Sequence, residues 1–147
     1  MWERTMGTVV AAAVMAAAAQ AADRQTVRGR YLVENVGLCG DCHTPRGPMG
    51  QPDLTRPMAG AVLDFRPTAP VPDWAEEAPA IAGPQARGWT RVQMVTFLKT
   101  GERPDGKFAR APMPMVRLTQ DDAEAVATYL ASLPAPMVPL RTKAGAR

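Results

Sequence analysis

Cys39-Gly40-Asp41-Cys42-His43 is the stretch from which the rest of this sequence can be interpreted. It contains both cysteines and the only histidine of the 147 residues. Side chains three residues apart share one face of a helical turn, so the two thiols would point the same way. This C-x-x-C-H spacing is the attachment pattern of c-type haem, in which the histidine also supplies an axial nitrogen to iron. The sequence therefore predicts one covalently bound haem c on Cys39, Cys42 and His43.

Two other uses of this motif compete with haem attachment. A thioredoxin-like thiol pair needs a βαβ setting, and no alternating run of β-branched residues flanks Cys39. A zinc site takes four ligands, so a carboxylate would have to join the two thiols and the imidazole. The motif favours haem, and a haem-free thiol oxidoreductase is the main alternative.

The second axial ligand of such a haem cannot be another histidine of this chain. Methionine is the usual partner of histidine in cytochromes c. In Ala111-Pro112-Met113-Pro114-Met115, two prolines restrict the backbone on both sides of Met113. We expect Met113 to bind iron, with Met115 as the alternative, although a methionine in a stiff core loop is commoner in general.

The N-terminal segment, residues 1–22, has the layout of a secretory signal. Arg4 is followed by an uncharged apolar run over residues 9–19, and Ala19-Gln20-Ala21 fits the small-x-small cleavage pattern. The run is shorter than the roughly 20 residues that cross a bilayer, so we expect no stable membrane span, with an uncleaved anchor as the alternative. Export to the periplasm agrees with the haem motif. A haem-binding domain is then expected over residues 23–134, followed by a basic tail over 135–147.

The first helix is expected over about Arg24–Leu38, capped by Asp23 and running into the haem motif. Gly29 lies in its middle, where glycine costs about 1 kcal/mol relative to alanine. Such a glycine indicates either a close crossing with another helix or a tolerated weak point. The sequence does not decide between these two interpretations.

Two further helices have clear end signals. Thr90 and Gln93 form a capping box in front of a helix over about Arg91–Thr100. Thr119 caps the last helix, and Pro134 stops it. Together with the first helix, these end signals predict three helices.

Residues 44–88 contain nine of the fifteen prolines, so neither a helix of normal length nor a strand is expected there. The stretch is nevertheless too rich in apolar side chains for a solvated linker. We expect an ordered loop wrapped over the haem edge. Trp89, directly after it, is either a hydrophobic staple or a donor to a haem propionate.

The composition excludes some partners. The net charge is only +3, and no basic stripe with interleaved aromatic residues is present. Single-strand binding proteins depend on such a stripe, so no nucleic-acid partner is expected.

With these motifs in place, the chain resembles the class I monohaem cytochrome c domains, which include periplasmic carriers and dehydrogenase partners. The resemblance rests on C-x-x-C-H-T-P-R-G at residues 39–47, on Gly88-Trp89-Thr90, and on Met113-Pro114 with the later L-T-Q-D-D at residues 118–122. It implies an all-α cytochrome c-like fold in which the first and last helices cross beside the haem, and it implies axial ligation by His43 and Met113. Many relatives have A-P-N-I where this chain has Ala78-Pro79-Ala80-Ile81, so one asparagine near the haem is missing.

The expected function is one-electron transfer, with iron cycling between Fe(III) and Fe(II), and not catalysis. The expected partners are redox proteins: a dehydrogenase, a terminal oxidase or another cytochrome. The alternative is a haem protein with an open sixth position that binds a ligand or substrate.

Overall fold

The computed structural model describes residue 15, residues 19–84 and residues 86–136. The elements are α1 (residues 19–31), a π-helical turn (Leu32–Val36), α2 (Gly40–His43), β1 (Ala61–Val62), β2 (Glu77–Ala78), a 3₁₀ turn (Ala86–Gly88), α3 (Arg91–Thr100) and α4 (Gln120–Ser132). Most of the regular secondary structure in the described residues is helical, which confirms the all-α prediction. No helix in the described part of the chain is both long and apolar enough to cross a membrane.

Helix α1 differs from its prediction at both ends. It is already helical at residue 19 and passes through Asp23 without a break, so the prediction of Asp23 as the helix cap is wrong. The alanines at 19, 21 and 22 explain this, because alanine has the highest helix propensity. At the other end the π-helical turn and a left-handed Leu38 (φ 46°) separate α1 from the cysteine motif. The motif therefore lies on its own short helix, α2, and not on the end of α1.

The crossing of α1 and α4 explains Gly29. A Cβ atom built on Gly29 would lie 2.0 Å from the Ala125 carbonyl oxygen and 2.8 Å from the Tyr129 Cβ. Of the two interpretations of this glycine, the close helix crossing is confirmed. Next to the crossing, the Tyr129 hydroxyl donates a hydrogen bond to Glu34.

The predicted ends of α3 and α4 are confirmed. Thr90 and Gln93 form the complete capping box, and α3 spans Arg91–Thr100 as expected. The Thr119 side chain accepts a hydrogen bond from the Asp122 amide at the start of α4. The two helices pack against each other, and α4 also contacts the π-helical turn.

The proline-rich stretch is ordered, but the prediction that it contains no strand is wrong. Ala61 pairs with Ala78 and Val62 with Glu77 in a short antiparallel ladder. A two-residue ladder forms here because none of the four paired positions is a proline, and the prolines lie outside it.

The core is built from the inner faces of the helices and from this stretch. Alanine supplies much of it, which allows the backbones to approach closely. Its buried apolar members are Leu32, Val33, Met58, Ala59, Ala61, Ala78, Ala82, Met94, Val95, Leu98, Ala123, Ala125, Val126, Ala127, Tyr129 and Leu130. Most of the expected signal segment and tail lies outside the described residues, so the boundaries at residues 22 and 134 stay predictions.

Candidate functional site

His43 is the most enclosed of the predicted site residues. Its side chain is 5% exposed, and Nδ1 lies 2.7 Å from the carbonyl oxygen of Pro79. A carbonyl can only accept, so Nδ1 carries the proton and Nε2 keeps its lone pair. Burial is the largest effect on His43 and lowers its pKa. The hydrogen bond to Pro79 raises the pKa, and the positive charge of Arg87 lowers it. The imidazole is thus neutral at neutral pH and suited to bind a metal through Nε2.

Backbone groups of the proline-rich stretch form hydrogen bonds to His43 and Thr44 and hold this part of the chain in place. The Gly60 amide donates to the His43 carbonyl at 2.7 Å. The Met58 amide donates to the buried Thr44 hydroxyl at 3.1 Å, and the Met58 carbonyl accepts from the Ile81 amide at 2.9 Å. Residues 58–60 therefore tie the histidine to the segment that follows Pro79. This arrangement orients the ring, as outer partners of metal-binding histidines do.

The two cysteines are free and half-buried. The Cys39 amide donates to the Val33 carbonyl at 3.0 Å, and its side chain packs against the hydrophobic core. Burial raises the pKa of the Cys39 thiol. Reactive thiols of disulfide oxidoreductases have a lowered pKa, so the site is unlike that of a thiol oxidoreductase.

Met113 and Met115 have different surroundings. Met113 is half-buried, and its amide donates to the Arg110 carbonyl at 3.0 Å. Met115 is 44% exposed, and its side chain packs over Gly101 at the end of α3. Met115 therefore has a packing role of its own, which leaves Met113 as the better candidate for a ligand.

Residues 75–79, here called the linking segment, connect the loop of Met113 with His43. At one end the Ala75 amide donates to the Ala111 carbonyl at 2.7 Å. At the other end Pro79 accepts the bond from His43. One short stretch of chain thus runs from the methionine loop to the histidine.

Arg110 reinforces the methionine end of the linking segment. Its Nε and Nη2 atoms donate to the carbonyls of Asp73 and Trp74 at 3.1 and 3.0 Å. Its Nε also lies 3.0 Å from a carboxylate oxygen of Asp73. The methionine loop is therefore fastened to the residues that precede the linking segment.

The residues of the site fit a haem. Two free thiols three positions apart, a neutral histidine with an available Nε2 and a half-buried methionine are the kinds of group that haem c uses for its attachment and its axial ligands. In addition, the indole Nε1 of Trp74 is buried and has no hydrogen-bond partner among the described residues. A buried N–H group without a partner is rare in a folded protein, and it indicates a missing acceptor beside the linking segment.

Comparison with known proteins agrees with this geometry. A sequence model of the family described as Cytochrome c matches residues 26–134. The chain therefore belongs to the cytochrome c family, whose cofactor is haem c with its iron. Membership also confirms the expected cytochrome c-like fold.

The relatives include larger proteins. A diheme cytochrome c-type of Cereibacter sphaeroides is 35% identical over 113 residues, covering 74% of this chain and 35% of the relative. The cytochrome c subunit of a quinone-type alcohol dehydrogenase of Gluconobacter oxydans is 36% identical over 122 residues, covering 77% and 25%. The fructose dehydrogenase cytochrome subunit of Gluconobacter japonicus is 34% identical over 119 residues, covering 74% and 22%. The chain thus spans about a third or less of the length of these relatives.

Several residues of the site carry no signal in the sequence. Pro79 and Met58 act through backbone carbonyl groups, which every residue possesses. Trp74 and Arg110 lie outside any motif. The one available hint was the abundance of apolar side chains in the proline-rich stretch, which predicts that it packs against something.

Proposed function

We propose that this chain is a periplasmic electron-transfer cytochrome c with one haem, attached through Cys39 and Cys42 and ligated by His43 and Met113. The observation that carries the proposal is the His43–Pro79 hydrogen bond, which leaves Nε2 of a buried, neutral imidazole free beside two free thiols. One C-x-x-C-H motif accounts for one haem, in contrast to the diheme relative.

Bound haem c would supply an iron that gains and loses a single electron. His43 would occupy one axial position, and its bond to Pro79 would keep the ring in one orientation in both oxidation states. Met113 would occupy the other position and close it to substrates. A soft thioether favours Fe(II) and raises the reduction potential. The buried residues around His43 exclude water, which also disfavours the extra charge of Fe(III).

The exposed face beside the cysteines supports electron exchange with protein partners. Val36 and Leu38 flank the motif and are 57% and 53% exposed. Exposed apolar side chains next to the thioether edge suit a small, short-lived contact of the kind that redox proteins form. Because several relatives are cytochrome subunits of dehydrogenases, we propose a dehydrogenase as electron donor and a terminal oxidase or second cytochrome as acceptor.

The ligand set is tested with Met113→Ala and Met115→Ala in protein exported with a working haem-attachment system. Met113→Ala should keep covalent haem, lose the weak red band of methionine–iron ligation in the ferric spectrum and lower the midpoint potential, because a thioether ligand raises that potential. Met115→Ala is the matched control and should keep the band, since Met115 packs over Gly101. A Met113→Ala protein that retains the band, or a Met115→Ala protein that loses it, would overturn the assignment.

A further inference from the structure

Gly37 and Cys39 follow the π-helical turn that joins α1 to the cysteine motif. In an α-helix a carbonyl accepts from the amide four residues later, so the Val33 carbonyl would be bonded to Gly37. Here the Gly37 amide donates instead to the Leu32 carbonyl at 2.7 Å, and the Val33 carbonyl accepts from the Cys39 amide at 3.0 Å. The π-helical turn thus provides the carbonyl that fixes the backbone of Cys39.

Contacts on two sides hold the π-helical turn in place. Leu32 and Val33 belong to the hydrophobic core, and Val33 is 0% exposed. On the outer side, the Glu34 carboxylate accepts hydrogen bonds from the Tyr129 hydroxyl of α4 and from Arg30 Nε, the latter at 2.9 Å. A shift of the turn would disturb all of these contacts, so a new side chain beside the turn has to displace a more mobile neighbour.

The Cys39 sulfur lies close to the space that a side chain on Gly37 would fill. A Cβ atom built on Gly37 would be 3.2 Å from Cys39 Sγ and 3.2 Å from the Leu32 carbonyl oxygen, and both distances are tighter than nine in ten real Cβ contacts. The backbone of Gly37 is right-handed, with φ −84° and ψ −15°, a conformation that residues with a side chain also adopt. Its surroundings, and not its backbone conformation, therefore favour glycine.

Haem attachment leaves little freedom in the position of this sulfur. The Cys39 thiol adds across a vinyl double bond: sulfur bonds to one vinyl carbon, the other carbon gains the hydrogen, and no oxidant or reductant is consumed. Cys42 and His43 lie together on α2 and would hold the same cofactor, so Cys39 Sγ has to meet its vinyl group at a fixed place. A misplacement of about 1 Å can slow a reaction about 100-fold.

We propose that Gly37 is a positioning residue for haem attachment, because its missing side chain lets the π-helical turn hold Cys39 Sγ where it forms its thioether. This inference rests on the proposed function, since it requires covalent haem. It gives Gly37 and the turn a role that the C-x-x-C-H spacing does not include. A methyl group on Gly37 should then impair the thioether of Cys39 and leave that of Cys42 intact.

The test compares Gly37→Ala with Gly40→Ala in protein exported with a working haem-attachment system. Gly40→Ala is the matched control, since its Cβ would make ordinary contacts with Thr44 Oγ1 at 3.4 Å and Met58 Cε at 3.5 Å. Free thiols are alkylated after denaturation and assigned by peptide mass. We expect the fraction of haem-bearing chains with an alkylated Cys39 to be roughly tenfold larger in Gly37→Ala than in wild type, because a shift of Sγ by a fraction of an ångström costs part of the 1 Å effect. Gly40→Ala should match wild type.

A double variant distinguishes crowding of the sulfur from crowding of the Leu32 carbonyl. In a Cys39→Ala background the sulfur is absent, and haem is held through Cys42 alone. Adding Gly37→Ala to this background should change neither the haem content nor the midpoint of thermal unfolding. The same comparison decides the case in which Gly37→Ala alone yields no haem-bearing protein, because the double variant should then regain the haem content of Cys39→Ala.

Three results would overturn the inference: both thioethers in wild-type proportion in Gly37→Ala, a free thiol at Cys42 instead of Cys39, or a loss of haem that Cys39→Ala does not relieve. Failure of the proposed function has a different signature. Wild-type protein without covalent haem would refute the proposed function and the inference with it. Wild-type protein with both thioethers but without the methionine–iron band would refute the axial ligation alone, because the thiol count does not depend on that band.

Discussion

Replacement of Gly29 by alanine should have two opposite effects on the free energy of unfolding. Helix propensity alone would stabilise the protein by about 1 kcal/mol. The added Cβ, however, would lie 2.0 Å from the Ala125 carbonyl oxygen and 2.6 Å from its carbon, where real Cβ contacts are essentially never below 3.0 Å. Both atoms belong to the backbone of α4, so no side-chain rotation relieves the clash, and the two helices have to separate by about 1 Å.

Overpacking of this kind costs about 1–3 kcal/mol, and a clash with backbone belongs at the upper end. After the gain in propensity is subtracted, we expect Gly29→Ala to lose about 2 kcal/mol of unfolding free energy. For a domain of this size the midpoint of thermal unfolding should then fall by about 10 °C. The measurement is thermal and urea unfolding of the haem-loaded protein, followed by far-ultraviolet circular dichroism.

Val27→Ala is the control for Gly29→Ala. Val27 lies on the same helix and is 70% exposed, so its replacement should change the unfolding free energy by no more than about 0.5 kcal/mol. A Gly29→Ala protein as stable as wild type, or more stable, would show that α1 and α4 do not cross at Gly29.

Three further predictions concern local contacts. Tyr129→Phe removes the hydrogen bond to Glu34 and should cost about 1–2 kcal/mol in urea unfolding; an unchanged midpoint would contradict the contact. Burial and Glu34 raise the pKa of Tyr129 to about 12, so its contribution is complete below the unfolded pKa of about 10 and is lost as pH rises towards 12. A pH series of unfolding free energies should show this alkaline loss in wild type and a smaller one in Tyr129→Phe, and equal curves would refute it. Thr90→Ala breaks the capping box with Gln93 and should lower the free energy of unfolding by about 1 kcal/mol, which a lower thermal midpoint would show. An unchanged midpoint would mean that the cap does not stabilise α3.

The predictions from sequence succeeded where structure depends on neighbouring residues. The ends of α3 follow from the side chains of Thr90 and Gln93, which act within one turn, and the bounds Arg91–Thr100 were predicted correctly. The start of α1 was predicted wrongly because Asp23 was treated as a cap, although the alanines before it also favour helix. The break at Leu38, whose φ is 46°, has no signal in the sequence. A left-handed leucine is stabilised by its surroundings and not by its own backbone preference.

The candidate site likewise contains residues that a local sequence pattern predicts and contacts that no pattern predicts. The cysteines and His43 are recognisable because their spacing is local. The partner of His43 is the carbonyl of a residue 36 positions away, and a backbone carbonyl has no signature in a sequence. The preference for Met113 over Met115 agrees with the packing of Met115 over Gly101, but ligation by Met113 stays a prediction until the haem-loaded protein is measured.

The most direct test of the account is a spectroelectrochemical titration of the unmodified, haem-loaded protein. We expect one covalent haem per chain, a single one-electron transition, the methionine–iron band in the ferric form and no rapid, tight binding of carbon monoxide by the ferrous form. A high-spin ferric spectrum with tight carbon monoxide binding would contradict His43/Met113 ligation and indicate an open site. A colourless protein with titratable Cys39 and Cys42 thiols would contradict haem attachment altogether.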